Sequence, residues 1–231
     1  MLSRGNGIRR VSGRQLQGSG AITTSKIGEV LYCHGRGGRP ADAPGDRVQA
    51  VAWPLPLHAP LMDPSWYRRS LSHRVDEVAG WLASARLGIG HSFGGWLLLC
   101  ATAELLERGH DPPPLLLLSS VLGPGSLGKG TGVFSLPPRQ AAVNRILDPP
   151  PGSDTAFPPD GLELVHAVDD DQCPVGLARR LADRHEVTVV PGGHHLDDEQ
   201  AIAMLSRVLD RHRRRLESSC SLPDHRTDTL E

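Results

Sequence analysis

Short apolar segments recur along this chain, and stretches of helical period separate them. The clearest is residues 115–118, four consecutive leucines followed by Ser-Ser-Val. A strand with one wet face alternates apolar and polar residues. A run that does not alternate is buried on both faces, the condition of a parallel sheet covered by helices on both sides. Residues 30–33 are a run of this type, and residues 86–90, 115–121, 162–168 and 186–190 are further strand candidates. Residues 48–57 (VQAVAWPLPL) are a further strand candidate, interrupted by Pro54. Between them, residues 65–83 place Leu71, Val75, Val78, Ala79 and Leu82 at helical spacing. Residues 93–108 are apolar all round, the pattern of a buried helix. Residues 138–147, 175–184 and 197–215 supply three more helices. Strands alternating with helices predict an α/β fold, a mainly parallel sheet of about six strands with helices on both faces.

The 231 residues suit one domain, expected over residues 28–215 with a short flap at 122–160. That flap segment is rich in Gly and Pro. Residues 1–27 and 216–231 are polar and aperiodic, and are expected to be flexible ends. The chain carries 25 basic and 26 acidic residues, a balance that argues against a nucleic-acid or membrane-surface footprint. No apolar stretch reaches the roughly 20 residues of a membrane span. Arg4, Arg9, Arg10 and Arg14 near the start lack the apolar core of a secretory signal. Cys33, Cys100, Cys173 and Cys220 have no metal or redox spacing and read as free thiols of a reducing compartment. The expected location is therefore cytoplasmic.

In a parallel α/β sheet, ligands and catalytic groups gather at the carboxyl ends of the strands. Three such ends carry chemistry. Gly90-His91-Ser92-Phe93-Gly94-Gly95 lies between a short strand and a buried helix, the context a G-x-S-x-G nucleophile turn requires. There the serine hydroxyl meets the positive end of the helix dipole. Asp169, Asp170 and Asp171 follow the fifth strand, and each is a candidate to orient a histidine. Gly192-Gly193-His194-His195-Leu196 follows the sixth, placing a candidate general base on a glycine-rich loop. No ligand spacing for a metal accompanies the histidine pair.

The order serine, aspartate, histidine resembles the α/β-hydrolase superfamily over residues 29–213. Four segments carry the resemblance. His34-Gly35-Arg36-Gly37-Gly38 is similar to the family's HGxGG oxyanion loop, and GHSFGG at 90–95 to its nucleophile elbow. His166 through Pro174 is similar to the H-G-x-x-D-x-x-V-P acid segment, with Ala167 in place of the glycine. Residues 191–196 resemble the G-x-H-x-L histidine loop. The chain resembles a small, largely lid-less member whose matching part starts at the family's third strand, the early hairpin being either missing or contained in residues 8–24.

The resemblance implies a catalytic triad of Ser92, Asp170 and His194, with His195 as the near rival of His194. It implies an oxyanion hole from the backbone N–H groups of Phe93 and Arg36, with no cofactor and no metal. The implied activity is that of a serine hydrolase cleaving carboxylic esters or thioesters through an acyl-enzyme. A flap without a full lid implies an open pocket, suited to a small-molecule ester or to an acyl group on a carrier. Arg36 and Arg39 stand where an anionic carrier would pass. Because only Lys26 and Lys129 are lysines, solvated surface arginines account for them equally well. The alternative is a non-catalytic binding or scaffold protein on the same fold.

Overall fold

The computed structural model describes residues 30–35, 57–58, 70–123, 140–149 and 161–220. Among the described residues six strands form one sheet: β1 Val30–Cys33, β2 Leu57–His58, β3 Leu87–His91, β4 Leu115–Leu118, β5 Leu162–Ala167 and β6 Glu186–Val190. Their order is β2-β1-β3-β4-β5-β6, and every pairing is parallel. Five helices among the described residues accompany them: α1 Leu71–Leu82, α2 Phe93–Glu107, α3 Gln140–Leu147, α4 Gly176–Arg180 and α5 Glu199–Cys220.

The four leucines of β4 show why the sheet must be covered twice. Side chains alternate across a strand, so Leu115 and Leu117 join one core while Leu116 and Leu118 join the other. The first core lies against α1, α2, α3 and α4. The second includes Val30, Tyr32, Leu87, Ile89, Val165 and Ala167, and is closed by Ala201, Leu205, Val208 and Leu209 of α5. The helix α2 is buried along nearly its whole length, from Gly94 to Ala103 without a break, because it lies between the sheet and its helical neighbours. β6 is the edge strand, and its outer residue Glu186 is exposed accordingly.

The ends of the elements differ from the sequence expectation for local reasons. β4 stops at Leu118, not at residue 121, because Ser119 turns to φ 39. α4 spans only Gly176–Arg180, not 175–184. Beyond it Leu181, Ala182 and Arg184 bond to carbonyls three residues back, tightening the chain into turns before β6. α5 continues to Cys220, past the expected end at 215. Leu216 still packs on the second core, and the Arg86 guanidinium donates to its carbonyl. Asp198 caps α5, accepting from the N–H groups of Gln200 and Ala201 at 2.9 and 3.3 Å. The expected strand at 48–57 lies outside the described residues except for Leu57. So do residues 1–27, most of the flap at 122–160, and residues 221–231 of the tail.

α5 is also tied down at the end of the sheet remote from the strand carboxyl termini. Glu163, near the start of β5, is buried and accepts from His212 Nε2 at 3.0 Å and from the Arg211 guanidinium. Arg211 also pairs with Glu186 of β6 at 2.8 Å. No described helix is long and apolar enough to cross a membrane.

Candidate active site

β1 is flanked by β2 on one side and β3 on the other, so the chain's crossovers reverse direction at β1. At such a switch point the loops leaving neighbouring strands diverge and open a crevice at the carboxyl edge. Gly35, after β1, and Ser92, after β3, face each other there. A Cβ placed on Gly35 would lie 2.9 Å from Ser92 Cβ and 3.3 Å from its Oγ.

Ser92 has φ 53 and ψ −123, a conformation that a non-glycine residue rarely adopts. Its N–H donates to Leu118 O at 3.1 Å, and its carbonyl accepts from Gly95 and Val121 at 3.2 and 3.1 Å. The turn is therefore held from β4 and from α2. It requires two glycines for close approach. A Cβ on Gly94 would overlap the Cys33 carbonyl, and one on Gly95 would overlap the Ser120 hydroxyl. The Ser92 side chain makes no capping bond to its own helix, which leaves its Oγ available to the crevice.

Asp170 and His194 meet at this edge. His194 Nδ1 lies 2.9 and 3.0 Å from the two Asp170 oxygens, and both residues are buried. Asp170 Oδ1 also accepts from the Gln172 and Cys173 N–H groups at 2.9 and 2.7 Å. Burial alone would raise the Asp170 pKa. The bonds from His194 and the Cys173 N–H, together with the nearby imidazoles of His194 and His166, outweigh it and hold the carboxyl below its ordinary value. The ionised carboxylate can only accept, so Nδ1 donates to it. The rivals do not share this geometry: Asp169, Asp171 and His195 are all exposed. His195 sits edge-on to His194 with ring centroids 5.6 Å apart.

Two tethers join the acid loop to the histidine loop: Val168 N to Val190 O at 2.8 Å and Asp169 N to Gly192 O at 3.1 Å. His166 is buried, donates from Nε2 to the Cys173 carbonyl, and stands 3.7 Å from Asp170 Oδ2. Of the expected oxyanion donors, Phe93 begins α2 directly after Ser92, while Arg36 lies outside the described residues, as does Arg39.

Cys173 was not singled out by sequence reasoning as part of the site. It takes the place of the valine in the family's acid segment, and its thiol lies next to the Ser92 side chain. Side-chain donor atoms of Asp170, Cys173 and His194 lie within 4.8 Å of one another. Burial, with the Asp170 charge beside it, pushes the Cys173 thiol up to about 12, so the sulfur is a neutral thiol and a poor nucleophile. Among the described side chains, Cys33, Cys100 and Cys173 are buried and form no disulfide. His91 was missed too. It directly precedes Ser92, and its ring lies against that of His194, centroids 4.9 Å apart.

Comparison with solved structures follows the same lines. A meta-cleavage product hydrolase from Pseudomonas fluorescens matches 81% of this chain and 90% of its own, with 17% identity and a TM-score of 0.55. Est1E from Butyrivibrio proteoclasticus, solved with ferulic acid bound, matches 82% and 89% at 15% identity and a TM-score of 0.54. YbtT, a type II thioesterase of the yersiniabactin biosynthetic pathway, matches 80% and 92% at 16% identity and a TM-score of 0.53. The chain has the α/β-hydrolase fold. Neither a family profile nor a curated protein sequence matches it. On this fold the crevice at the carboxyl edge, with Ser92 on the turn after β3, is the place where chemistry is expected.

Proposed function

We propose that the chain is a serine hydrolase that cleaves carboxylic esters or thioesters through an acyl-enzyme on Ser92. The observation that carries this reading is the pairing of His194 Nδ1 with the buried Asp170 carboxylate at 2.9 Å, beside a serine strained at φ 53. Ser92 Oγ attacks the carbonyl carbon while His194 Nε2 takes its proton. The same proton passes to the departing alcohol or thiol. Water then attacks the acyl-enzyme, again losing a proton to His194, and the acid is released. Asp170 keeps the imidazole in the tautomer that exposes Nε2 and stabilises the imidazolium that forms. Backbone N–H groups of Phe93 and Arg36 are the proposed donors to the oxyanion, with Phe93 placed at the positive end of α2. None of these steps needs a cofactor beyond water.

Both a small-molecule ester and an acyl group on a carrier suit this reading, and the type II thioesterase among the similar folds supports testing the second. The test is hydrolysis of one acyl-length series offered as oxygen esters and as thioesters. Wild-type protein should turn over at least one series, and Ser92→Ala should lower that rate by several orders of magnitude. Folded protein that turns over neither series would favour a binding or scaffold role.

A further inference from the structure

We propose that His91 is a positioning residue for the reaction, holding the backbone of His194 through a hydrogen bond from its Nε2 to the His194 carbonyl. This rests on the hydrolase reading above and adds a component to it. The bond is 2.9 Å long and joins residues 103 apart in sequence. It is reinforced by the stacked rings, whose planes are tilted by 38°.

Position gives this contact its leverage. His91 is the last residue of β3 and pairs with Leu118 of β4, so its backbone is fixed by the sheet. Its next neighbour is Ser92. One strand end therefore presents the nucleophile and grips the loop that bears the base.

The histidine loop needs such a grip. Gly192 and Leu196 both have positive φ, at 89 and 53, and the loop is closed by a turn from Leu196 N to Gly193 O at 3.0 Å. From the acid side it is held at Gly192 by the backbone of Asp169. From the elbow side it is held at His194 by His91. Asp170 fixes the ring at Nδ1, and His91 fixes the backbone to which that ring is attached. Two anchors on one residue determine where Nε2 points.

The donor is also suited electrically. Burial pushes the His91 pKa down to about 4. The bond to the His194 carbonyl opposes that fall, the neighbouring His194 and His195 imidazoles add to it, and Asp170 opposes it. His91 is then a neutral ring with its proton on Nε2 wherever His194 works as a base. A neutral donor grips the loop without repelling the imidazolium that His194 becomes. An arginine or lysine in the same place would oppose that charge.

The test compares His91→Gln, which keeps an N–H donor, with His91→Phe, which keeps a ring and loses the donor. His91→Phe should lower kcat by ~10- to 100-fold with KM little changed, the size expected when a catalytic group is displaced by about 1 Å. His91→Gln should recover most of that loss. A readout independent of turnover is the far-downfield proton resonance of His194 Nδ1–H against Asp170. It should be sharp in wild type and His91→Gln and broadened by exchange in His91→Phe, in a Ser92→Ala background as well. An unchanged kcat and resonance in His91→Phe would overturn the proposal. So would a His91→Gln variant as impaired as His91→Phe, which would assign the effect to ring packing. Failure of the hydrolase reading would look different: wild type would be inactive while the resonance still responded to position 91.

Discussion

Ser92 is held in an unfavourable backbone conformation by bonds to β4 and α2, and the cost of that conformation is carried by the surrounding sheet. The proposed triad should respond accordingly. His194→Ala should cripple the chemical step. Asp170→Asn should lower kcat on the order of 10⁴-fold, because Asn no longer stabilises the imidazolium. His195→Ala, Asp169→Asn and Asp171→Asn place their changes on exposed side chains, and should alter kcat several-fold at most in the same steady-state assay. Gly94→Ala should yield little folded protein by circular dichroism, since its Cβ would overlap the Cys33 carbonyl and α2 has no room to retreat. At this scale strand-end position brought out Ser92, the three aspartates and the two histidines, and the family resemblance chose Asp170 and His194 among them. Cys173 and His91 were not. Whether a cysteine three residues past Asp170 turns toward Ser92, or the side chain before the nucleophile reaches the histidine loop, depends on loops that meet only in the folded chain.

The elements were legible wherever a run is buried on both faces, as in β1 and β4, since unbroken apolar sequence states that condition directly. Their ends were less so, because a turn at Ser119 or a tightened last turn after Arg180 follows from where the chain must go next. α5 shows a second kind of miss. Its polar final turns gave no apolar period to read, yet Leu216 and the Arg86 bond extend it beyond residue 215. Ending the chain at residue 217 should leave the urea midpoint unchanged, while ending it at 215 should lower it. The ionic node on the same helix is sensitive in another way. Glu163→Ala leaves the buried His212 without its carboxylate and Arg211 with Glu186 alone, and should cost about 3 kcal/mol in urea denaturation. Glu163→Gln, which keeps the volume and an acceptor, should cost less.

For the whole molecule, the buried titratable groups around the crevice determine how stability answers acid. The His91 pKa is depressed to about 4 from the ordinary 6.5, chiefly by burial. Between those values the unfolded chain binds a proton that the folded chain refuses, so stability falls as pH drops from 6.5 toward 4. His166 is shifted in the same direction, again chiefly by burial, and adds to the slope. Asp170, held below its ordinary value, contributes stability above pH 3.8 that is lost as its carboxylate is protonated on further acidification. Urea midpoints measured from pH 7 to 4 should therefore fall, and should fall less steeply in His91→Gln than in wild type.

The central claim is that Ser92 is the nucleophile of a working triad, and it is tested most directly by a fluorophosphonate probe followed by peptide mass spectrometry. The expected result is a single adduct on Ser92, absent from Ser92→Ala and strongly reduced in His194→Ala. Equal labelling of wild type and Ser92→Ala, or an adduct carried by another residue, would contradict it.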